Sequence, residues 1–201
     1  MSGSESEPRT QQPSDTGPET AHLWGKSHKM QIRLTKPMLK VMTPVLMRKI
    51  ERTVLEFPEL MSHVLTVGAV TTSRVHGSAD SGAMAIRLNT RERSGMSHFT
   101  IAHELTHLLQ RPGLGTVPNG EVQCDIYTLA RSPLFTDDKP TYLPGIRCGK
   151  RGWKHHANAV RALCIEALEI RKVRRSYIVW LTEAIEAYFD RTQRASSATD
   201  K

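Results

Sequence analysis

Apolar positions along this chain change period several times, and each change marks an element. After Thr43-Pro44, residues Val45, Leu46, Ile50, Val54 and Leu55 recur at helical spacing, with proline in the first turn where its missing N–H does no harm. Two β-favouring runs follow, 64 to 70 and 83 to 88, joined by a turn rich in glycine and serine through Gly77, Ser78, Asp80 and Gly82. In the second run Met84, Ile86 and Leu88 alternate with Ala83, Ala85 and Arg87, the pattern of a half-buried strand.

The next helix lies between Ser94-Gly95 and Gln110-Arg111-Pro112-Gly113, since a Pro-Gly pair cannot continue helical hydrogen bonding. Met96, Phe99, Ala102 and Thr106 fall on one side of it and Ile101, Leu105 and Leu108 on the other, so neither side suits water and the helix reads as buried. A second helix is expected from Asn119 as N-cap to about Arg131, where Ser132-Pro133 stops it. Val122, Ile126 and Leu129 form its apolar face, with Tyr127 placed as core, while Glu121, Cys124, Asp125 and Thr128 share a polar one. Helical spacing returns from His156 to about Asp190 as one broken or two consecutive helices, expected to pack against the earlier pair. Strands followed by helices make an α+β domain over residues 29–190.

Composition adds the ends. Residues 1–28 are rich in Ser, Glu, Pro, Thr and Gln and carry almost no large apolar side chain before Leu23, which reads as a disordered tail; residues 191–201 read as a second one. There is neither a secretory signal nor a stretch of about 20 apolar residues, so no membrane partner is expected and the cytoplasm is the default location. Cys124, Cys148 and Cys164 are odd in number and widely spaced, which suits reduced thiols rather than a disulfide framework. The excess of positive charge, +8 overall, is concentrated between 147 and 175, in Arg147, Lys150, Arg151, Lys154, Arg161, Arg171, Lys172, Arg174 and Arg175. Such a strip can hold nucleic acid, or be a solvated helix face; no recognition motif or aromatic interleaving accompanies it.

The chemistry lies in His103-Glu104-Leu105-Thr106-His107. On a helix two residues four apart stand about 40° out of line and one turn up, so both histidines project to the same side and can close on one Zn²⁺. Glu104 stands about 100° round, beside the metal, where a carboxylate can take a proton from a water on zinc. Glu121 is the candidate third ligand, leaving the fourth position to water as in catalytic zinc sites. Asp125, one turn on, is placed to accept the free N–H of a ligating histidine and fix its tautomer.

These residues, with Asn119-Gly120-Glu121-Val122-Gln123-Cys124-Asp125, resemble the gluzincins, the thermolysin-like branch of the zincin metallopeptidases, whose pattern is HExxH, then a Glu in a second helix and an Asp four residues later. The resemblance implies a zincin-like fold, a small twisted sheet packed on the active-site helix. It implies a zinc-dependent endopeptidase acting on an intracellular protein or peptide, with His103, His107 and Glu121 as ligands and Glu104 as general base. Cys124 stands where the family often has Ser, and the connection between the helices is shorter than in large members. In zincins an edge strand upstream of the motif binds the substrate backbone; residues 83 to 88 are the candidate, or are plain structural sheet. Gluzincins usually draw an oxyanion donor from beyond the third ligand, and among Tyr142, His155 and His156 the first choice is Tyr142. The stretch 132–145, mixing large apolar groups with prolines, reads as a wall over the cleft. Cys148 with His155 and His156 does not meet zinc-finger spacing. The competing class is a basic DNA-associated or regulatory binding protein whose metal site is not catalytic.

Overall fold

A computed structural model describes residues 30–70 and 75–199. The expected tail 1–28 lies outside the described residues. The fold is α+β, a mixed four-stranded sheet with six α-helices among the described residues. Strand β1 (Gln31–Leu34) leads through Thr35, whose hydroxyl accepts from Met38 N, into α1 (Lys36–Val41). Helix α2 (Pro44–Val54) starts where expected, its first turn capped by the Thr43 hydroxyl 3.1 Å from Leu46 N. Its buried stripe is Leu46, Ile50, Thr53 and Val54, whereas Val45 and Leu55 are exposed. Both stand off the line that positions 46, 50 and 54 draw along the helix.

Strand β2 (Val64–Val70) runs parallel to β1 and to β4 (Ala85–Asn89), and β3 (Gly77–Asp80) runs antiparallel to β4, giving the order β1-β2-β4-β3. Two expectations change. The second apolar strand starts two residues later than 83, because Met84 takes a left-handed φ of 47° in a turn where the Asp80 carboxylate accepts from Ala83 N. That strand is also interior, not an edge: the segment around Gly77 that reads as a turn is itself the edge strand β3. Gly-Ser-Ala-Asp has no apolar alternation to announce a strand, and every residue of β3 is half-buried.

Helix α3 (His98–Leu108) packs against β3, β4, α2 and α4 (Glu121–Arg131). Ser97 caps it, and the Asp137 carboxylate accepts from His98 N and Phe99 N at 2.8 and 2.9 Å, a placement the helix dipole also favours. Gly120, not Asn119, occupies the N-cap position of α4, at a φ of 122° that a side chain would resist. The C-terminal spacing resolves into two helices, α5 (Lys150–Arg171) and α6 (Tyr177–Thr199). Helical backbone therefore continues past Asp190 through residues 191–199, where composition alone reads a tail.

Two apolar cores result among the described residues. One, beneath the sheet, gathers Leu65, Val67, Ile86, Leu88, Ile101 and Leu105 with α1 and α2. The other, between α4, α5 and α6, gathers Ile126, Leu129, Trp153, Val160, Leu181 and Ile185. Helix α3 gives most of its apolar surface to the first and α4 gives its apolar face to the second, so their remaining faces meet along a seam. No helix among the described residues is long and apolar enough to cross a membrane.

Candidate metal centre and cleft

The seam buries the polar groups of both helices. Thr106 and Thr128 hydroxyls meet there at 3.0 Å, and Thr106 also donates to Ala102 O, so neither is left unsatisfied. Nearer the cleft, His103 Nε2, His107 Nε2 and Glu121 Oε2 form a nearly equilateral triangle with sides of 3.0, 3.1 and 3.1 Å. Tetrahedral zinc with bonds of about 2.0–2.1 Å sets its donors about 3.3 Å apart, so these three atoms fit such an ion with little movement. Two imidazole nitrogens and a carboxylate are also a chemically suitable set for it.

Each ring is held from behind. Asp125 Oδ1 accepts from His103 Nδ1 at 2.8 Å, while its other oxygen accepts from Tyr142 N and Leu143 N at 2.7 and 2.9 Å. Three donors thus satisfy a fully buried carboxylate and pin the 132–145 stretch to α4. His107 Nδ1 lies 2.9 Å from Gln110 Oε1 and 3.3 Å from Cys124 Sγ. With both Nδ1 atoms engaged, both Nε2 atoms face Glu121.

A second donor set shares the histidines. His103, His107 and Cys124, whose donor atoms lie within 4.8 Å of one another, form a largely buried group that can hold a metal ion. The thiol, however, stands beside Nδ1 of His107, the ring nitrogen that does not enter the triangle. Burial, reinforced by the Glu121, Asp125 and Glu104 carboxylates, pushes that thiol well above its ordinary range.

Burial alone would keep His103 neutral, but hydrogen bonds to Asp125 and Glu121 outweigh it and lift the imidazole to about 9. The bond to His103 also holds Glu121 below the usual carboxylate range, against the opposing effect of partial burial. Glu104 is 6 % exposed; burial raises its carboxyl to about 7, with Glu121 adding to the rise and His103 opposing it. Its carboxylate lies against Gly77 of β3, so close that a Cβ there would stand 2.6 Å from Oε1.

These residues open on a cavity of about 570 Å³ walled by Gly77, Ser78 and Ala79 of β3 and by Glu104, Glu121 and Tyr142. Tyr142 is about half exposed, and its ring stacks on His103 at 5.8 Å and 25°. Burial and the carboxylates of Glu121, Asp125 and Glu104 raise its phenol, which stays a proton donor. A smaller cavity of about 180 Å³, also lined by Tyr142, reaches Phe99, Thr100 and Thr141.

The other histidine pair has a different use. His155 is exposed, and His156 bonds the Tyr188 hydroxyl at 3.0 Å and packs on the Phe189 ring at 4.7 Å. Several basic residues of 147–175 already have partners: Arg147 with Asp190, Lys150 with Ser94, Arg161 with Ala130 O, Arg171 with the Tyr127 hydroxyl and Lys172 with Glu169. Tyr127, expected in the core, is only partly buried and accepts the Arg171 bond at its rim. Sequence reasoning assigns no chemistry to Gln110, Gly77 or Asp137; for Gln110 the available signal is its i+3 spacing from His107. Comparison with protein-family models, with curated proteins and with solved structures finds no match for this chain.

Proposed function

We propose that this chain is a zinc-dependent peptide hydrolase, built on a small zincin-like domain. The observation that carries the reading is the triangle of His103 Nε2, His107 Nε2 and Glu121 Oε2 beside a buried, uncoordinating carboxylate at the floor of an open cleft. The ligand set is His103, His107 and Glu121 rather than the set with Cys124, because only Glu121 meets both histidines on the nitrogens left free by Asp125 and Gln110. Zinc bound there supplies a Lewis acid for the scissile carbonyl and acidifies water at neutral pH.

The protein's own part follows from the geometry. Glu104, buried beside the histidines and lying against β3, takes the proton released on attack and returns it to the leaving amine. Tyr142, stacked on His103 with its phenol protonated, donates to the oxyanion of the tetrahedral intermediate. The open edge of β3, not β4, offers backbone groups along the cleft to an extended peptide, which adds as a further strand. Three free cysteines suit a reducing compartment and hence an intracellular substrate.

The test is Glu104→Gln with zinc content and peptide-library cleavage measured together. Hydrolysis falls about 10²–10⁴-fold while zinc stays stoichiometric. A variant that cleaves at the parent rate overturns the mechanism, and a zinc-loaded parent that cleaves nothing favours a binding protein instead.

A further inference from the structure

His107 lacks the carboxylate that Asp125 provides for His103; at its Nδ1 stand the Gln110 carboxamide at 2.9 Å and, farther off at 3.3 Å, the Cys124 sulfur. Gln110 uses all of its amide there. Oε1 meets His107 Nδ1 at 2.9 Å, and Nε2 reaches Pro118 O at 2.6 Å and Gly120 O at 3.1 Å. The orientation is forced. Two main-chain carbonyls only accept, so the amide nitrogen must face them, and the oxygen must then face the imidazole. An oxygen that only accepts requires the hydrogen of His107 on Nδ1, which leaves the lone pair on Nε2, the nitrogen in the triangle.

The other end of the same side chain holds the last residues before Glu121. Between α3 and α4 the chain passes through Pro112, Gly113, Gly115 and Pro118 with no regular element; Val117 anchors it in the core beneath the sheet, and Gln110 holds the carbonyls of Pro118 and Gly120, next to Glu121. We propose that Gln110 is a positioning residue of the metal centre: it selects the metal-binding tautomer of His107 and, through Pro118 and Gly120, sets Glu121 at coordination distance. A carboxylate at 110 would do only the first task, which accounts for an amide where His103 has an acid.

This rests on the zinc reading above, and the experiment separates the two. Zinc affinity is measured by chelator competition for the parent, Gln110→Ala and Gln110→Glu, with melting of the metal-free proteins as a check on folding. Gln110→Ala weakens zinc about 10–100-fold, the loss expected when the partner of a ligating histidine is removed. Gln110→Glu recovers most of that loss, because it restores the acceptor for Nδ1–H, yet amides of 111–120 exchange faster in both variants, because neither donates to the two carbonyls. Nitrogen spectra of the zinc-loaded parent show the His107 proton on Nδ1. An alanine variant that binds zinc as tightly as a zinc-binding parent overturns the proposal. So does a glutamate variant as weak as alanine, or a His107 protonated on Nε2. A parent that takes up no zinc instead ends the metal reading on which the proposal stands.

Discussion

The two cores of this molecule meet at the seam that holds the candidate metal centre, yet the histidine pair on the sheet side and the one on the C-terminal helices are put to different uses. Beneath the sheet, α3 carries its histidines to the seam at a spacing of four, and each ring finds an acceptor for Nδ1–H and a shared carboxylate at Nε2. Among α5 and α6, His155 and His156 are adjacent in sequence, so they diverge around the helix; one meets solvent and the other completes a Tyr188–Phe189 cluster. Histidine content alone therefore says little. What separates the pairs is the spacing and the polar partner that fixes each ring, and the C-terminal helices act as the scaffold against which α4 holds its polar face.

The largest effect that tests this contrast comes from cutting the link between α4 and the histidines. Glu121→Ala removes one corner of the triangle and is expected to weaken zinc by more than the roughly 100-fold typical of lost outer partners, with loss of the zinc-dependent gain in melting temperature. Cys124→Ser keeps the triangle and is expected to leave zinc affinity near that of the parent. His156→Ala, on the scaffold side, is expected to lower stability without changing zinc affinity. Chelator competition across the three variants decides between the donor sets. Zinc lost on Cys124→Ser but kept on Glu121→Ala reverses the assignment.

A smaller effect is expected on the sheet side. Gly77 has no side chain where a Cβ would come within 2.6–2.9 Å of Glu104 Oε1, Cγ and Cδ. Gly77→Ala must push that carboxylate aside, and a misplacement of about 1 Å at a reacting group can cost about 100-fold in rate. Turnover of a peptide should fall on that scale while zinc affinity holds. A variant of unchanged rate would mean that Glu104 has room to move or no part in the reaction.

Much of this site is readable without coordinates, and the reason is local. His103, Glu104 and His107 lie on one helix, and Glu121 and Asp125 on the next, so helical periodicity alone puts each set on one face. Helix α2 and strand β2 are legible for the same reason, through a Thr-Pro start and a β-branched run. What escapes depends on contacts distant in sequence or on backbone shape. Strand β3 exists because β4 pairs with it, not because Gly-Ser-Ala-Asp favours a strand. Asp137 caps α3 from 38 and 39 residues away, and Gln110 acts by reaching two carbonyls in a loop with no pattern of its own. Gly120 displaces Asn119 as the cap because the turn into α4 needs positive φ, which the stronger side-chain preference for Asn does not reveal.

The gentlest test concerns the far end of α4, where the scaffold-side helix is tied back to the sheet side. Arg131 makes paired bonds of 2.8 and 3.1 Å to the Glu59 carboxylate, donates to Glu56 O, and lies over the Phe57 ring at 4.4 Å. Partial burial would raise the Glu59 carboxyl, but the bonds and charge of Arg131 prevail and hold it below its ordinary value. A folded-state value below the unfolded one means that the contribution is present above the unfolded value, about 4.3, and fades as pH falls through the folded one. Glu59→Gln should therefore cost about 1 kcal/mol at pH 7, which for a chain of this size is a drop of about 2–4 °C in melting temperature. The gap between variant and parent should close as the solution is acidified below about pH 4. A gap that stays constant down to about pH 3 would show that the carboxylate charge adds nothing, and that the Phe57 and Glu56 contacts alone keep Arg131, and with it this end of α4, against the sheet side.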